Sequence, residues 1–262
     1  MKLKIINIKA EVVGEKVLPA QFNEKIRPDL IKRAVIALRS HKRQPYGASP
    51  EAGKRASAYV SKRRRDYKTT YGIGQSRTPR KVMSRRGTRF NWVGAFAPQT
   101  VGGRRAHPPK AEKIWFLKIN KKEKRKAIRS AMATSMSKDY LKNVPKDFPF
   151  VIDNEIESIK KTKDVKNFLI KAGFKEMLDR KNKVRAGKGK MRGRKFRKKK
   201  GPLFIVSDKC DLEKSAKNLA GVDVVKVKNI SCEMLAPGIN VCRPALYTVK
   251  SIDMLEKEKL FF

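Results

Sequence analysis

The residues best suited to chemistry in this sequence form a basic stretch from Gln44 to Lys110. It holds sixteen Lys and Arg against two acids, Glu51 and Asp66. Its aromatic residues are Tyr46, Tyr59, Tyr67, Tyr71, Phe90, Trp92 and Phe96. Cationic side chains neutralise phosphates and aromatic rings stack on exposed bases, whereas a plain disordered tail would be poor in aromatics. The pattern predicts a segment that folds on a polyanion, irregular apart from a short helix over Pro50 to Arg64.

A second basic stretch, from Arg180 to Lys200, has thirteen Lys and Arg in twenty-one residues and no acid. The whole chain of 262 residues carries 66 Lys and Arg against 24 Asp and Glu, a net charge of +42. A body with this charge repels itself unless a partner neutralises it. A membrane partner would require a long apolar span or a strongly amphipathic basic helix, and the sequence shows neither. We therefore predict nucleic acid as the partner and no membrane.

RNA is favoured over duplex DNA because no helix-turn-helix, zinc-finger or basic-zipper pattern is present to enter a major groove. Structured RNA is recognised through its shape, its phosphates and its exposed bases.

The sequence predicts no cofactor and no metal site. The glycines after Tyr71 lack the third glycine of a dinucleotide-binding motif, and no phosphate-binding loop motif occurs. The cysteines form no paired motif, so we expect reduced thiols in an intracellular protein. They are Cys210, Cys232 and Cys242.

Two aspartates provide the case for catalysis. Asp153 and Asp208 each follow a predicted strand, at the end where open α/β sheets place their active sites. No nucleophile, histidine or carboxylate cluster accompanies them, so we expect them to form turns or helix caps. The residues therefore favour a protein that is not an enzyme. An RNA-processing enzyme remains an alternative, as does a nucleic-acid compaction protein bound through charge alone.

The elements that must position the basic stretches are short strands and amphipathic helices. Strands are predicted in residues 3–18 (two), at 148–152, 203–206, 222–227 and 246–249. Helices are predicted at 28–43, from the residue after Asn120 to about Met136, at 164–172, from Asp211 to about Gly221, and at 252–259. A single helical turn is predicted at 231–235. Continuous apolar strands that alternate with helices are typical of a parallel sheet covered on both faces.

The predicted fold class is therefore α/β, with a mainly parallel sheet covered by helices. We expect one globular domain made from residues 1–43 and 111–262. The basic stretch 44–110 is inserted in it as a long extended loop. The stretch 180–200 forms a second basic loop at an edge or end of the sheet, because it separates a helix from the strand that begins at Leu203.

Three motifs in the basic stretch resemble one protein family. They read YGIGQSRTPRKV from Tyr71, SRRGTRF from Ser84 and GAFAPQTVGGRRAHPPK from Gly94. A weaker likeness covers KAIRSAMATS from Lys126 and the rest of the chain. These motifs are similar to the universal family of large-subunit ribosomal protein four, in its archaeal and eukaryotic branch. The resemblance implies a globular α/β domain on the outer surface of the large ribosomal subunit. It also implies a long loop that enters the ribosomal RNA and lines the nascent-peptide exit tunnel at its tip.

The resemblance further implies a structural, non-catalytic protein that is cytoplasmic and ribosome-bound and supports assembly. Its partners would be large-subunit ribosomal RNA, neighbouring large-subunit proteins and, at the loop tip, the nascent peptide. The region from Arg77 to Trp92 would lie nearest the tip, and the segment up to Lys110 would hold RNA along the returning arm. The expected RNA-binding residues are Arg77, Arg80, Lys81, Arg85, Arg86, Arg89, Trp92, Arg104, Arg105, His107, Lys110, Arg192, Arg194, Lys195 and Arg197.

Overall fold

The computed structural model describes residues 2–141, 143–239 and 242–262. The contacts between Cα atoms divide the chain into two compact units. The first, here called the sheet unit, combines Met1–Lys42 with Phe116–Phe262. The second, here called the inserted unit, is Arg43–Trp115. Each unit therefore has internal contacts of its own.

Ten strands and seven α-helices occur in the described residues. The strands are β1 (Lys2–Ile6), β2 (Val12–Val17), β3 (Arg80–Arg86), β4 (Arg89–Gly94), β5 (Val151–Ile152), β6 (Lys183–Val184), β7 (Phe196–Arg197), β8 (Leu203–Val206), β9 (Asp223–Lys226) and β10 (Ala245–Tyr247). The helices are α1 (Pro28–His41), α2 (Lys121–Ser135), α3 (Thr162–Lys171), α4 (Lys175–Asp179), α5 (Asp211–Lys217), α6 (Cys232–Leu235) and α7 (Val249–Lys257).

Six strands of the sheet unit form two three-stranded sheets, in the orders β2-β1-β5 and β10-β8-β9, and β6 and β7 form a separate two-stranded sheet. Within these two sheets only β1 and β2 pair antiparallel, while β5 pairs parallel with β1, and both β9 and β10 pair parallel with β8. A single parallel bridge from Ile152 to Thr248 connects the two sheets. All four residues of β8 are buried, as expected for a strand covered on both faces. The predicted α/β class is confirmed, and three of the four strand pairings in these two sheets are parallel. The strands are divided among several small sheets, however, and do not form the one mainly parallel sheet that the sequence predicts.

Helices α1 and α2 pack against each other in antiparallel directions. The Arg27 amide, at the start of α1, donates to Ser130 Oγ at 2.7 Å, and Arg33 Nη1 lies 3.0 Å from Glu123 Oε1 near the start of α2. Ala127 and Ala131 of α2 are fully buried, and small side chains let a helix approach its neighbours closely. No helix in the described part of the chain is long and apolar enough to cross a lipid bilayer.

One predicted element is wrong. Residues 50–64 form turns, bends and isolated β-bridges at Tyr59 and Ser61, not a helix. Gly53 has a φ of +73°, and a Cβ atom there would lie 2.5 Å from Arg104 Cα. A left-handed glycine pressed against the backbone of a distant segment interrupts helical geometry, so a long-range contact overrides the local preference.

The core of the sheet unit includes the apolar face of α3. Phe168 and Leu169 are 1% and 0% exposed, and the Phe168 ring packs against the Phe204 ring of β8 with centroids 6.5 Å apart. The next residue, Ile170, is 38% exposed. The period of the helix thus separates two neighbouring aliphatic residues into a core and a surface position.

We expect Leu169→Ala to lower the free energy of unfolding by about 2–5 kcal/mol, because it removes a buried side chain and leaves a cavity. Ile170→Ala should lower it by less than about 1 kcal/mol. Chemical denaturation of the two variants measures both values. Equal losses would contradict the assignment of these two residues to core and surface.

Candidate nucleic-acid interface

A β-hairpin lies at the centre of the inserted unit. Strands β3 and β4 pair antiparallel from Arg80↔Gly94 to Arg86↔Arg89, with a bulge between Val82 and Ser84. Gly87 opens the two-residue turn with a φ of +56°, as tight hairpin turns require. The expectation of irregular structure is therefore wrong here. Basic residues hide the strand pattern, because four of the seven residues of β3 are Lys or Arg and only Val82 among them strongly favours a strand.

Three rings form a row along this hairpin. Phe90 and Trp92, two residues apart on β4, stack with centroids 5.0 Å apart and planes inclined by 20°. The Tyr67 ring meets the Phe90 ring edge-on at 5.4 Å. Trp92 Nε1 donates to Gln75 Oε1 at 3.0 Å, which fixes the indole. We call Tyr67, Phe90 and Trp92 the aromatic row.

Two arginines lie on the aromatic row. The Arg85 guanidinium is 5.3 Å from the centroids of both Tyr67 and Phe90, and its Nε donates to Gly87 O at 2.8 Å. The Arg80 guanidinium lies 5.4 Å from the Trp92 ring. Cation–π contacts of this kind hold guanidinium groups on ring faces. The structure thus brings together three predicted site residues, Arg80, Arg85 and Trp92. It adds Tyr67, whose contact with a ring 23 positions away no local pattern reveals.

The other basic residues of the hairpin face outward. Lys81, Arg86 and Arg89 are exposed, and Arg77 lies over the Tyr71 ring at 4.7 Å. Among the described residues, no basic side chain between positions 43 and 115 forms an ion pair. The carboxylate of Asp66 accepts hydrogen bonds from Ser61 Oγ and from the Tyr67 amide. These bonds hold the pKa of Asp66 below its usual value. The positive charge of the hairpin is therefore not neutralised by acids of its own unit.

A second aromatic contact joins the two ends of the inserted unit. The Tyr46 and Trp115 rings stack with centroids 5.0 Å apart. Arg43 and Lys113 lie over the Trp115 ring, at 4.1 and 4.7 Å from its centroid. Close by in sequence, the Ala48 amide donates to Pro109 O at 2.9 Å. These contacts bring the outgoing and returning arms together.

The returning arm carries four predicted site residues in irregular backbone. Arg105, His107 and Lys110 are exposed, and Arg104 is half-buried. None of the four makes a side-chain hydrogen bond, ion pair or cation–π contact within the described residues. The structure does not bring them into the aromatic row, and their side chains are open to an external partner.

The second basic stretch folds on itself as a small hairpin. Strands β6 and β7 pair antiparallel, and a 3₁₀ turn spans Lys188–Arg192. Arg185 Nε donates to Arg194 O at 3.1 Å, so Arg185, which the sequence did not single out, braces the hairpin from within. The predicted site residues Arg192, Arg194, Lys195 and Arg197 are all exposed.

Ion pairs of the half-exposed Asp223 with Lys200 and with the buried Arg243 fix the chain where this basic stretch ends. The Asp223 carboxylate accepts from Lys200 Nζ at 2.9 Å and from Arg243 Nη1 at 2.6 Å, and Arg243 is 4% exposed. Burial raises the pKa of Asp223, but the hydrogen bond from Lys200 and the charge of Arg243 outweigh that effect and leave the pKa below its usual value. Burial also lowers the pKa of Arg243, but a guanidinium stays protonated regardless.

One of the two candidate catalytic residues has a structural role. Asp153 accepts from the Asn154 amide at 2.7 Å and caps a 3₁₀ turn, as expected, and Asp208 is exposed. No group of three metal-binding side chains occurs in the described residues. Burial raises the pKa of both the Cys232 and Cys242 thiols to about 12, so at neutral pH they are protonated and poorly nucleophilic.

Residues 16–258 match the model of the "Ribosomal protein L4/L1 family". The chain is 47% identical to the large ribosomal subunit protein uL4 of Nanoarchaeum equitans, over the whole of both chains. It is 43% identical to uL4 of Archaeoglobus fulgidus, over 97% of this chain and 98% of that one. It is 40% identical to uL4 of Methanosphaera stadtmanae, over 97% and 96%. The resemblance carried by the motifs between Tyr71 and Lys110 is confirmed.

We expect Tyr46→Ala to loosen the ends of the inserted unit, because it removes the ring stacked on Trp115. A stacked pair contributes roughly 0.5–1.5 kcal/mol, so exchange of the Ala48 amide should become about two- to tenfold faster. Hydrogen–deuterium exchange of peptides covering residues 44–52 measures this. Tyr71→Ala, which removes a ring in contact with Arg77, is the control and should leave those peptides unchanged. Unchanged exchange in Tyr46→Ala would show that the stack does not hold the two arms.

We expect Asp223→Asn to lower the free energy of unfolding at pH 7 by about 1 kcal/mol. Arg243 is left buried without a counterion, but the Asp223 side chain is 45% exposed, so water screens part of the interaction. The folded-state pKa of Asp223 lies below its unfolded value. The contribution of its charge is therefore present above roughly pH 4 and lost as the pH falls further. The difference between parent and variant should accordingly shrink below pH 4.

Urea unfolding from pH 3 to 7 measures this difference. Asp164→Asn, at an exposed acid of α3, is the control and should change stability little at any pH. A constant difference across the range would contradict the assigned role of the Asp223 carboxylate.

Proposed function

The chain belongs to the ribosomal protein L4/L1 family, and we propose on this basis that it is a structural protein of the large ribosomal subunit. Its relatives named above are large-subunit proteins matched along essentially their whole length. It binds the RNA of that subunit through the inserted unit and supports subunit assembly.

The uncompensated charge of the inserted unit is the observation that carries the RNA-binding proposal. Arg43–Trp115 holds eighteen Lys and Arg against three acids, Glu51, Asp66 and Glu112. With no ion pair formed in the described part of this unit, every contact to a phosphate would release counterions and add affinity. The same charges would repel one another in the absence of RNA.

The residues of the hairpin divide into two roles. Arg80, Arg85 and Trp92 are already held by the aromatic row, so they present a preformed surface that loses little conformational entropy on binding. Lys81, Arg86 and Arg89 project freely and contact phosphates. The turn at Gly87 joins the two strands of the hairpin and is the part we expect nearest the exit tunnel and the nascent peptide.

Two further groups extend the interface. Arg104, Arg105, His107 and Lys110 contact RNA along the returning arm of the inserted unit. Arg192, Arg194, Lys195 and Arg197 make a second contact from the small hairpin of the sheet unit. The division into a globular part and an RNA-penetrating loop follows from this proposal, with residues 44–110 as the loop.

The protein is not an enzyme on this proposal. Asp153 is committed to a cap, and Asp208 has no catalytic partner. The protein holds segments of large-subunit RNA together and contacts neighbouring large-subunit proteins, on ribosomes in the cytoplasm. A compaction protein bound through charge alone would not distinguish large-subunit RNA from duplex DNA.

We expect the combined substitutions Lys81→Gln, Arg86→Gln and Arg89→Gln to weaken binding to large-subunit RNA. The slope of log affinity against log salt concentration should become shallower by about two, because three phosphate contacts are lost. Titration of the full-length protein from 50 to 300 mM salt measures this slope. The combined substitutions Lys163→Gln, Lys166→Gln and Lys171→Gln on α3 remove the same charge and should leave the slope nearly unchanged.

Two outcomes would count against the proposal. Equal effects of the two triple variants would mean that total charge, not the hairpin, determines binding. Equal affinity of the parent for duplex DNA and for large-subunit RNA at matched salt would favour the compaction protein.

A further inference from the structure

Helix α2 carries a basic surface that the RNA contacts proposed above do not use. Residues 118–129 hold seven Lys and Arg against one acid, Glu123. Ala127, Ile128 and Ala131, further along the helix, are buried in the core, whereas Lys121 and Lys122 in its first turn are exposed and Lys124 is half-buried. The basic residues at the beginning of α2 are therefore held by a rigid element, unlike those of a mobile loop.

The acids near this surface are already neutralised within the sheet unit. Glu123 pairs with Arg33 at 3.0 Å. Glu24 pairs with Arg129 at 2.8 Å and with Lys126 at 3.8 Å. Four other lysines form no ion pair within the described residues, and we call them the helix patch. They are Lys118, Lys121, Lys122 and Lys124.

The patch lies at a defined end of the α1–α2 pair. Because the helices are antiparallel, the end of α1 meets the start of α2. There the Leu117 amide donates to Ser40 Oγ at 2.9 Å, and the His41 and Phe116 rings stack at 5.2 Å. The chain leaves the sheet unit after Lys42 and returns to it at Phe116. The helix patch is therefore close to Lys42 and Phe116, the residues at which the chain leaves and re-enters the sheet unit.

The charges at the start of α2 oppose its formation in the free protein. Lys121 and Arg125 are like charges four residues apart, a spacing that costs about 0.2–0.5 kcal/mol. Lysines in the first turn also oppose the positive end of the helix dipole. Polyanion phosphates close to the patch would offset both costs.

We propose that the helix patch is a third RNA-binding surface, which contacts phosphates of the large-subunit RNA from the sheet unit. The inference rests on the proposed function for the identity of the RNA. Phosphates fit the patch better than a protein does, because lysine is depleted at protein interfaces and these are centred on aromatic or apolar anchors. Ile119, between the patch lysines, packs against the core. The apolar side chains just before the patch, Phe116 and Leu117, are about half exposed, and Phe116 stacks on His41 of α1.

Lysine reactivity in the full-length protein tests this proposal at single residues. The protein, free and bound to large-subunit RNA, is treated briefly with an acetylating reagent, and the modified lysines are quantified by mass spectrometry. Lys118, Lys121 and Lys122 should become several-fold less reactive on RNA binding. Lys163, Lys166 and Lys171 of α3, equally exposed, should keep their reactivity and serve as internal controls.

The same experiment separates this inference from the proposed function through Lys81 of the hairpin. Protection of Lys81 without protection of the patch would overturn the inference and leave the RNA-binding function intact. Protection of neither would count against both. Protection of the patch only after neighbouring ribosomal proteins are added would assign it to a protein partner and overturn the inference.

A variant provides an independent measurement. Lys118→Gln, Lys121→Gln and Lys122→Gln together should make the salt slope of RNA affinity shallower by about two. The free variant should be at least as stable to denaturant as the parent, because like charges are removed. The α3 triple variant should change neither quantity appreciably. An unchanged slope with a folded patch variant would show that these lysines are merely solvated.

Discussion

The imbalance between positive charge and available acids is the constraint on which the rest of this structure depends. With 66 basic residues and 24 acidic ones, few cations can be neutralised inside the protein. A small core must then withstand the repulsion of a much larger charged surface. The sheet unit meets this requirement with strands buried along their length, such as β8, and with helices whose small residues pack closely. The inserted unit has few buried residues and so depends on its partner for charge neutralisation.

The few acids are placed where two elements must be joined. Glu123 connects α2 to α1, Glu24 is paired with Arg129 of α2, and Glu233 of α6 pairs with Lys42 just beyond the end of α1. Asp223 anchors the chain after the second basic hairpin through Lys200 and the buried Arg243. Each of these contacts fixes the base of a basic segment and leaves its outward charges free. Internal pairing and external binding thus use different cations of the same surface.

Aromatic residues solve a different problem in the inserted unit. A long charged segment loses much conformational entropy when a partner orders it. The stack of Tyr46 on Trp115 and the aromatic row beside Arg80 and Arg85 restrict that segment before any partner binds. On this view the rings mainly hold the guanidinium groups and the two arms in place. Part of the conformational entropy of the segment is therefore lost during folding, before RNA binds.

The sequence by itself determined the charge of both basic stretches, the approximate positions of the sheet-unit elements and the family, because these depend on composition, local periodicity and motifs. Tertiary structure alone decided the β3–β4 hairpin, the turns in place of a helix at residues 50–64 and the aromatic row. Tertiary structure also decided the order of the strands and the ion pairs, such as Arg33–Glu123. In each case the deciding contact joins residues distant in sequence. Gly53 against Arg104 and Tyr67 against Phe90 are examples that no local pattern encodes.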